Sequence, residues 1–321
     1  MKNTIDITEK VMINGIQQKI HIIGTDSVNP VVLFIHGGPG VVDRHNVMKY
    51  MLDITDKVTI AGWDQRGTGG SYKGAKKEDM NLDTFVEDAR EITEYLCKKF
   101  NKDKIYIQGH SWGSCVGTML VYRYPENIKA YFGQGQLVNG IRNEEKSYDY
   151  VLEKAKAAGN EKDVQKLLEI KRPVEGLYAG DPIKGLMEQR KLLSKYGGAT
   201  FKCSSMWKST VKPILFSKEY TLCDIAGVLK GYSFSLKNMW EDIVKLDFSQ
   251  EYTKFSVPMF YLIGASDYNT PFELSYEYYK TVEAPLKDYI WFNRSSHSPL
   301  AEEPEKFSKT LAEKILQVEA M

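Results

Sequence analysis

The first part of the chain alternates short apolar runs with a segment of helical period. Apolar runs of strand length lie at 31–37, 57–64 and 104–109. Between the last two, apolar side chains recur through 82–100 at the three- and four-residue spacing of a helix. A continuous apolar run is typical of a strand buried on both faces, as in a parallel sheet that helices cover. The pattern therefore predicts an α/β fold, with a mostly parallel sheet and helices on both faces.

Further elements extend this sheet in both directions along the chain. The segment before residue 31 is interpreted as a hairpin, because Asn14-Gly15 is a dipeptide favoured in type I′ turns, where both residues need a positive φ. Later apolar runs and helical periods predict strands at 128–135, 257–264 and 288–293, and helices up to about Tyr124, near 272–281 and from about Glu305. Both ends of the chain therefore contribute to one sheet.

The alternation is interrupted between about Leu137 and residue 247. This stretch is first charged and helical and then rich in aromatic and small residues, and no run in it predicts a buried strand. The simplest interpretation is one core built from 1–137 and 247–321. Residues 138–246 are then a helical cap, inserted in the core and lying over one edge of the sheet.

Composition and charge narrow the choice of partners and compartment. The formal net charge is +1. Because the chain has neither a basic block nor an apolar run of about 18 residues, we expect no nucleic acid and no membrane as partner. The amino terminus lacks the apolar segment of a signal peptide, so the cytoplasm is the expected location. Widely spaced cysteines argue against a zinc site and against a disulfide framework. They are Cys97, Cys115, Cys203 and Cys223.

A serine between two glycines follows the predicted strand at 104–109. The residues Gly109-His110-Ser111-Trp112-Gly113 fit the pattern G-x-S-x-G and lead directly into a predicted helix. The glycines allow the strand and the helix to approach closely, while the serine occupies a strained turn that exposes its hydroxyl. Because a G-x-S-x-G pattern can also arise by chance, the pattern alone is only moderate support for a nucleophilic serine. Its place between a predicted strand and a predicted helix strengthens that support. We therefore predict that Ser111 is a nucleophile.

A serine nucleophile needs a base and an acid, which in this arrangement follow it in the chain. Of the five histidines only His297 lies beyond Ser111, in a loop between the last strand and the last helix. Asp267 lies just after the predicted strand 257–264, which makes it the preferred acid. Asp247 and Glu273 are poorer alternatives, one before that strand and one within the next helix.

An acyl-transfer site also needs donors for the oxyanion that develops during the reaction. The backbone N–H of Trp112, next to the nucleophile, is one expected donor. The second is expected from the glycine-rich loop after the strand at 31–37, with Gly38 preferred and Gly37 as the alternative. His36, at the start of that loop, is interpreted as a buried structural histidine.

Three motifs together resemble the proline iminopeptidase family of α/β-hydrolases. They are "HGGPG" at 36–40, "WDQRGTGGS" at 63–71 and "GHSWGS" at 109–114, and "GASD" and "SSHSP" extend the similarity into the second half of the core. The resemblance implies that Ser111, Asp267 and His297 form a catalytic triad under a helical cap. It also implies that Asp64 and Arg66 form an ion pair or brace their loop.

The sequence departs from the family pattern at two positions. The family more typically has glycine where this chain has His110, and arginine where it has Gly70. An enzyme of this family that removes amino-terminal proline also needs cap carboxylates for the substrate's ammonium group. Of the available residues Glu175, Glu188, Glu219 and Glu241, we choose Glu241, because its neighbour Trp240 could exclude water.

The expected function is hydrolysis of an amide or ester through an acyl-enzyme on Ser111, with no metal or cofactor. The first expectation for the substrate is a short peptide with a free amino terminus and a proline-like residue at the scissile bond. A carboxylesterase or amidase for small molecules, with a hydrophobic cap, is the alternative. A receptor that keeps the triad and turns its ligand over slowly is a more remote one. The sequence predicts no oligomeric state.

Overall fold

Eight strands form one sheet in the computed structural model, which describes residues 4–201, 207 and 211–321. They are β1 (Ile5–Ile13), β2 (Ile16–Gly24), β3 (Val31–Ile35), β4 (Thr59–Asp64), β5 (Ile105–His110), β6 (Ile128–Gln134), β7 (Met259–Gly264) and β8 (Lys287–Phe292). The strand order is β1-β2-β4-β3-β5-β6-β7-β8. Strands β3 to β8 run parallel to their neighbours, whereas β1–β2 and β2–β4 are antiparallel. The predicted mostly parallel sheet is therefore confirmed.

The hairpin at the start of the sheet is also confirmed. Ile13 pairs with Ile16 across the turn. Asn14 and Gly15 have φ values of 41° and 80°, the positive values that a type I′ turn requires.

Helices cover both faces of the sheet. In the described residues they are α1 (Arg44–Tyr50), α2 (Leu82–Phe100), α3 (Trp112–Arg123), α4 (Gly140–Ala157), α5 (Glu161–Ile170), α6 (Pro182–Lys195), α7 (Lys212–Leu215), α8 (Leu222–Val244), α9 (Phe272–Thr281), α10 (Pro299–Glu302) and α11 (Pro304–Glu319). Helices α2 and α9 have the predicted bounds, and α1 was not predicted. None of these helices has the length and apolar character that crossing a membrane requires.

The central strands have one apolar face on each side of the sheet. On β3, Leu33 packs in the same cluster as Ile92 of α2, whereas Phe34 packs in the cluster of Leu311 of α11. Successive side chains of a strand point to opposite faces, so both must be apolar when helices cover both sides. This double burial explains the continuous apolar runs in the sequence.

Helix α8, in the helical segment between β6 and β7, packs directly on the loop of the core at 63–71. A Cβ atom at Gly227 would lie 2.1 Å from the carbonyl oxygen of Gly69. A Cβ atom at Gly231 would lie 2.3 Å from the carbonyl oxygen of Gly67. Two glycines one helical turn apart thus let the backbone of α8 contact the 63–71 loop.

A buried ion pair also connects α8 to the sheet. Lys19 of β2 places its Nζ atom 2.6 Å from Oδ2 of Asp224, and these side chains are 11% and 6% exposed. A Cβ atom at Gly70 would lie 2.3 Å from Cδ of Lys19. The lysine chain therefore fills the space beside position 70, where the related family typically has an arginine.

We expect Asp224→Asn to lower the free energy of unfolding by about 3 kcal/mol, because it leaves the Lys19 ammonium buried without its counter-charge. Urea denaturation followed by circular dichroism measures the loss. The matched control is Glu277→Gln, which removes the partner of Arg142 from a pair whose side chains are 53% and 50% exposed. The control should change stability by less than about 1 kcal/mol. Equal effects of the two variants would contradict a stabilising role for the buried pair.

Three of the four cysteines lie in the described residues. Cys97 and Cys115 are buried and Cys223 is exposed, and all three are free thiols. Burial raises the pKa of the Cys115 thiol, which keeps it protonated and unreactive near neutral pH. Cys203 lies outside the described residues.

Candidate active site

Ser111 occupies a strained turn between β5 and α3. Its φ and ψ angles are 54° and −120°, and a non-glycine residue rarely adopts a positive φ. A Cβ atom at Gly113 would lie 2.1 Å from the carbonyl oxygen of Ile35, and one at Gly109 would lie 2.5 Å from that of Gly113. Only glycine fits at these two positions, so strand and helix can meet closely with Ser111 at the bend. The side chain of Ser111 lines a cavity of about 950 Å³.

His297 and Asp267 lie side by side at the carboxyl edge of the sheet. Asp267 follows β7 and His297 follows β8, and Nδ1 of His297 lies 2.9 Å from Oδ2 of Asp267. The other carboxylate oxygen of Asp267 accepts hydrogen bonds from the backbone N–H groups of Asn269 and Thr270, each at 2.9 Å. Because an ionised carboxylate only accepts, Nδ1 of His297 carries a proton and Nε2 is left as the basic nitrogen.

The alternative acids lie elsewhere. Asp247 is exposed, and its Oδ2 accepts a hydrogen bond from the Asn139 side chain at 2.8 Å. Glu273 accepts a hydrogen bond from the hydroxyl of Tyr268 at 3.2 Å. The structure thus brings the preferred acid, Asp267, to His297.

The residue before the nucleophile contacts the histidine directly. Nε2 of His110 donates a hydrogen bond to the carbonyl oxygen of His297 at 2.9 Å, and the ring centroids of the two residues are 4.8 Å apart. His297 also lines the cavity that contains Ser111. Ser111 and His297 therefore face the same cavity, connected by His110.

The glycine-rich loop passes directly against the turn that holds Ser111. A Cβ atom at Gly37 would lie 3.0 Å from Cβ of Ser111. Gly38 has a φ of 123°, and a Cβ atom there would lie 2.6 Å from the nitrogen of Gly40, so the loop requires glycine at this position. The backbone N–H groups of Gly38 and Trp112 donate no hydrogen bond to any residue that the structure describes. Both amides are therefore available for an oxyanion in the cavity.

Hydrogen bonds of the His36 side chain hold this loop in place. Its Nε2 accepts a hydrogen bond from the backbone N–H of Gln65 at 3.0 Å, and its Nδ1 donates to the carbonyl oxygen of Gly37 at 2.8 Å. Burial lowers the pKa of His36, and the neutral ring suits this pattern of one acceptor and one donor. The amide oxygen of Gln65 accepts from Nε1 of Trp112 at 3.0 Å. His36 is thus buried and structural, as predicted, and Gln65 connects the glycine-rich loop to Trp112 at the start of α3.

Asp64 and Arg66 each have a different partner. Asp64 is fully buried and its Oδ1 lies 2.7 Å from Nε of Arg44, while its Oδ2 accepts from the backbone N–H of Gly70 at 2.9 Å. Nη2 of Arg66 lies 2.7 Å from Oδ1 of Asp88. Both residues therefore brace the 63–71 loop through separate ion pairs.

The structure separates the two cap residues that the sequence assigned to substrate binding. Trp240 is buried and lines the cavity, and its Nε1 has no hydrogen-bond partner among the described residues. Glu241 is exposed and does not line the cavity. Successive residues of a helix point about 100° apart, and Met239, Trp240 and Ile243 face the interior. The prediction that Glu241 binds substrate is therefore wrong.

Several charged residues of the cavity wall were not found by sequence reasoning. They are Asp43, Glu144, Arg190 and Glu302. Of these, Asp43 lies close behind the "HGGPG" motif, and that proximity was the one available signal. Glu144 and Arg190 occur among many charged residues of the helical segment, where the sequence does not separate a cavity wall from a solvated surface.

Comparisons with known proteins agree with this architecture. The α/β hydrolase fold family matches residues 30–164. The "Probable aminopeptidase YbaC" of Bacillus subtilis (strain 168) is 30% identical over 312 residues, covering 97% of this chain and 96% of the relative. A proline iminopeptidase of Clostridioides difficile (strain 630) is 25% identical over 322 residues, covering 96% of this chain and 97% of the relative. The crystal structure of a proline iminopeptidase-related protein from Thermus thermophilus superimposes with a TM-score of 0.65 at 17% identity and covers 99% of both chains, which shows the shared fold.

Proposed function

Since the chain belongs to the proline iminopeptidase-like α/β-hydrolases, we propose that it cleaves an amide or ester bond through an acyl-enzyme on Ser111. The observation that carries this proposal is the hydrogen bond between Asp267 and His297, because His297 lines the same cavity as Ser111. The strained turn at Ser111 supports the same assignment, because it is the conformation that exposes a nucleophilic serine.

In the proposed mechanism His297 acts first as a general base and then as a general acid. Its Nε2 takes the proton of the Ser111 hydroxyl as the oxygen attacks the substrate carbonyl, and it then gives that proton to the leaving amine or alcohol. Asp267 orients the imidazole through Nδ1 and stabilises its positive charge. A water molecule activated by the same nitrogen then hydrolyses the acyl-enzyme and releases Ser111.

The tetrahedral intermediates of this reaction carry a negative oxygen, which the N–H groups of Gly38 and Trp112 are proposed to bind. Removing one such donor from a serine hydrolase costs about 10²- to 10³-fold in kcat. The hydrogen bonds of His36 and Gln65 support this role, because they hold the donors in position before substrate binds.

The proposed substrate is a small molecule or short peptide, selected by the helical segment 138–246 acting as a cap. A peptide with a free amino terminus is the first choice, in line with the names of the relatives. A carboxylesterase or amidase is the second, and apolar cavity walls favour it. Those walls include Leu137, Leu186, Leu236 and Trp240.

A substrate panel tests the proposed function. We expect the purified protein to react covalently with a fluorophosphonate, and to hydrolyse the p-nitroanilides of L-alanine, L-proline or L-leucine as well as short p-nitrophenyl esters. Hydrolysis of esters without any anilide would favour the carboxylesterase. Absence of both labelling and turnover would contradict a serine hydrolase.

A further inference from the structure

Four carboxyl groups line the cavity among the described residues, and three of them are already satisfied. Glu144 accepts a charge-assisted hydrogen bond from Arg190. Glu219 accepts one from Nδ1 of His21 at 2.6 Å. The third satisfied group is Glu302, and the fourth carboxyl group is that of Asp43.

Glu302 is satisfied by backbone amides. Its Oε2 accepts from the N–H of Ser296 at 2.7 Å, and its Oε1 accepts from the N–H of Phe201. Burial raises the pKa of Glu302, and the backbone N–H groups that donate to it favour its charged form. None of these three groups therefore calls for a cation from the substrate.

Asp43 lacks a positive partner. It occupies the N-cap position of α1 without a capping hydrogen bond from its side chain, and its Oδ1 accepts from the neutral side-chain amide of Asn46 at 2.6 Å. The basic side chain that comes nearest to its Oδ2 among the described residues is His110, whose Nδ1 is 4.0 Å away. Burial raises the pKa of Asp43 to about 7, which is the response of a carboxylate without a counter-charge. Asp43 is thus the uncompensated carboxylate of the cavity.

Nδ1 of His110 is a second hydrogen-bond acceptor next to Oδ2 of Asp43. Its Nε2 must carry the proton, because it faces the carbonyl oxygen of His297, which only accepts. Burial, together with the neighbouring His297, lowers the pKa of His110 to about 3, so the ring is neutral and its Nδ1 has a free lone pair. When Asp43 is ionised, its Oδ2 and Nδ1 of His110 are therefore two acceptors that lie 4.0 Å apart. A donor that lies about 2.8 Å from both would satisfy both.

We propose that Oδ2 of Asp43 and Nδ1 of His110 bind the protonated α-amine of the substrate. An ammonium group offers three donors and a positive charge, so it satisfies both acceptors at once. The inference rests on the proposed function and names its substrate class, an amino-acyl amide or ester with a free amine.

The position of the two acceptors suits an amine on the carbon next to the scissile carbonyl. A Cβ atom at Gly37 would lie 3.0 Å from Cβ of Ser111 and 3.5 Å from Nδ1 of His110, so the His110 acceptor lies close to the nucleophile. Oδ2 of Asp43 lies 4.0 Å from that acceptor. In an amino-acyl group the nitrogen is only about 2.5 Å from the carbonyl carbon, across two bonds. The amine can therefore reach the acceptors while Ser111 attacks the carbonyl.

A water molecule is the competing occupant. A second cavity of about 10 Å³ borders both Asp43 and His110, which is room for about one water. Such a water would satisfy the same acceptors without any role in substrate recognition, so the test must separate substrate binding from a structural role.

The variant Asp43→Asn keeps the shape of the side chain and removes its charge. We expect it to raise KM for L-alanine p-nitroanilide by about 30-fold or more, with kcat changed by less than about threefold. The kinetics of p-nitrophenyl acetate, which has no amine, should stay unchanged and show that the variant is folded. The matched control Glu241→Gln removes an exposed carboxylate of α8 and should leave kcat and KM for both substrates unchanged.

A measurement on the wild-type protein keeps the inference testable even if the variant does not fold. L-alanine amide should inhibit the hydrolysis of p-nitrophenyl acetate at least about tenfold more strongly than N-acetyl-L-alanine amide. Equal inhibition by the two amides would overturn the inference. Equal loss of anilide and ester turnover in Asp43→Asn, or no loss of either, would overturn it too, and the pair would then hold a structural water. In each of these cases, labelling by a fluorophosphonate would leave the proposed function standing, whereas absence of labelling and turnover would remove both.

Discussion

Replacement of Ser111 by alanine is expected to lower kcat by about 10⁶-fold, the size of effect that loss of the nucleophile has in other serine hydrolases. The reason is that His297 and Asp267 act only through the serine oxygen and cannot form an acyl-enzyme without it. The residual rate would come from substrate binding and from the N–H groups of Gly38 and Trp112. Alanine lacks only the hydroxyl, and the turn is held by backbone contacts, so the fold should be retained.

Labelling by a fluorophosphonate provides a second readout for this variant. Wild-type protein should carry the label on Ser111, and Ser111→Ala should carry none. Ser217 is the matched control, because it also lines the cavity, and Ser217→Ala should retain both labelling and turnover. Persistent labelling of Ser111→Ala at another serine would show that the nucleophile lies elsewhere. Circular dichroism should show the same helical content in all three proteins.

The sequence predicts the core well because burial on two faces leaves a strong pattern. Residues 31–35 are apolar at successive positions because both faces of β3 are covered. A surface helix with one face in solvent does not have that pattern. The helix α2 has one buried face along its whole length, so its period alone predicts its bounds, 82–100. Helix α1 has seven residues, about two turns, which is too short for a period to be recognised.

The candidate site could be predicted only where the chain order restricts the choice. His297 is the one histidine after Ser111, and Asp267 follows a strand that its apolar run makes visible. Glu241 was misplaced because its neighbour Trp240 faces the cavity, and one step along a helix turns the side chain outward. The sequence does not single out Asp43, because the absence of a counter-charge near it is visible only in three-dimensional contacts.

We expect Asp267→Asn to lower kcat by about 10⁴-fold, as the loss of this carboxylate does in the best-studied serine protease. The backbone N–H groups of Asn269 and Thr270 point at Oδ1 of Asp267, so the asparagine oxygen takes that place. Its NH₂ group then replaces Oδ2 and donates to Nδ1 of His297. The imidazole is thereby forced into the tautomer with a proton on Nε2, which cannot accept the proton of Ser111.

Asp247→Asn is the control for this prediction, because Asp247 is the other aspartate considered as the acid and is exposed. It should change kcat by less than about twofold, since surface substitutions away from the site have small effects. Steady-state kinetics with one ester, together with the rate of fluorophosphonate labelling, measure both variants. A large effect of Asp247→Asn with a silent Asp267→Asn would place the acid before β7 rather than after it.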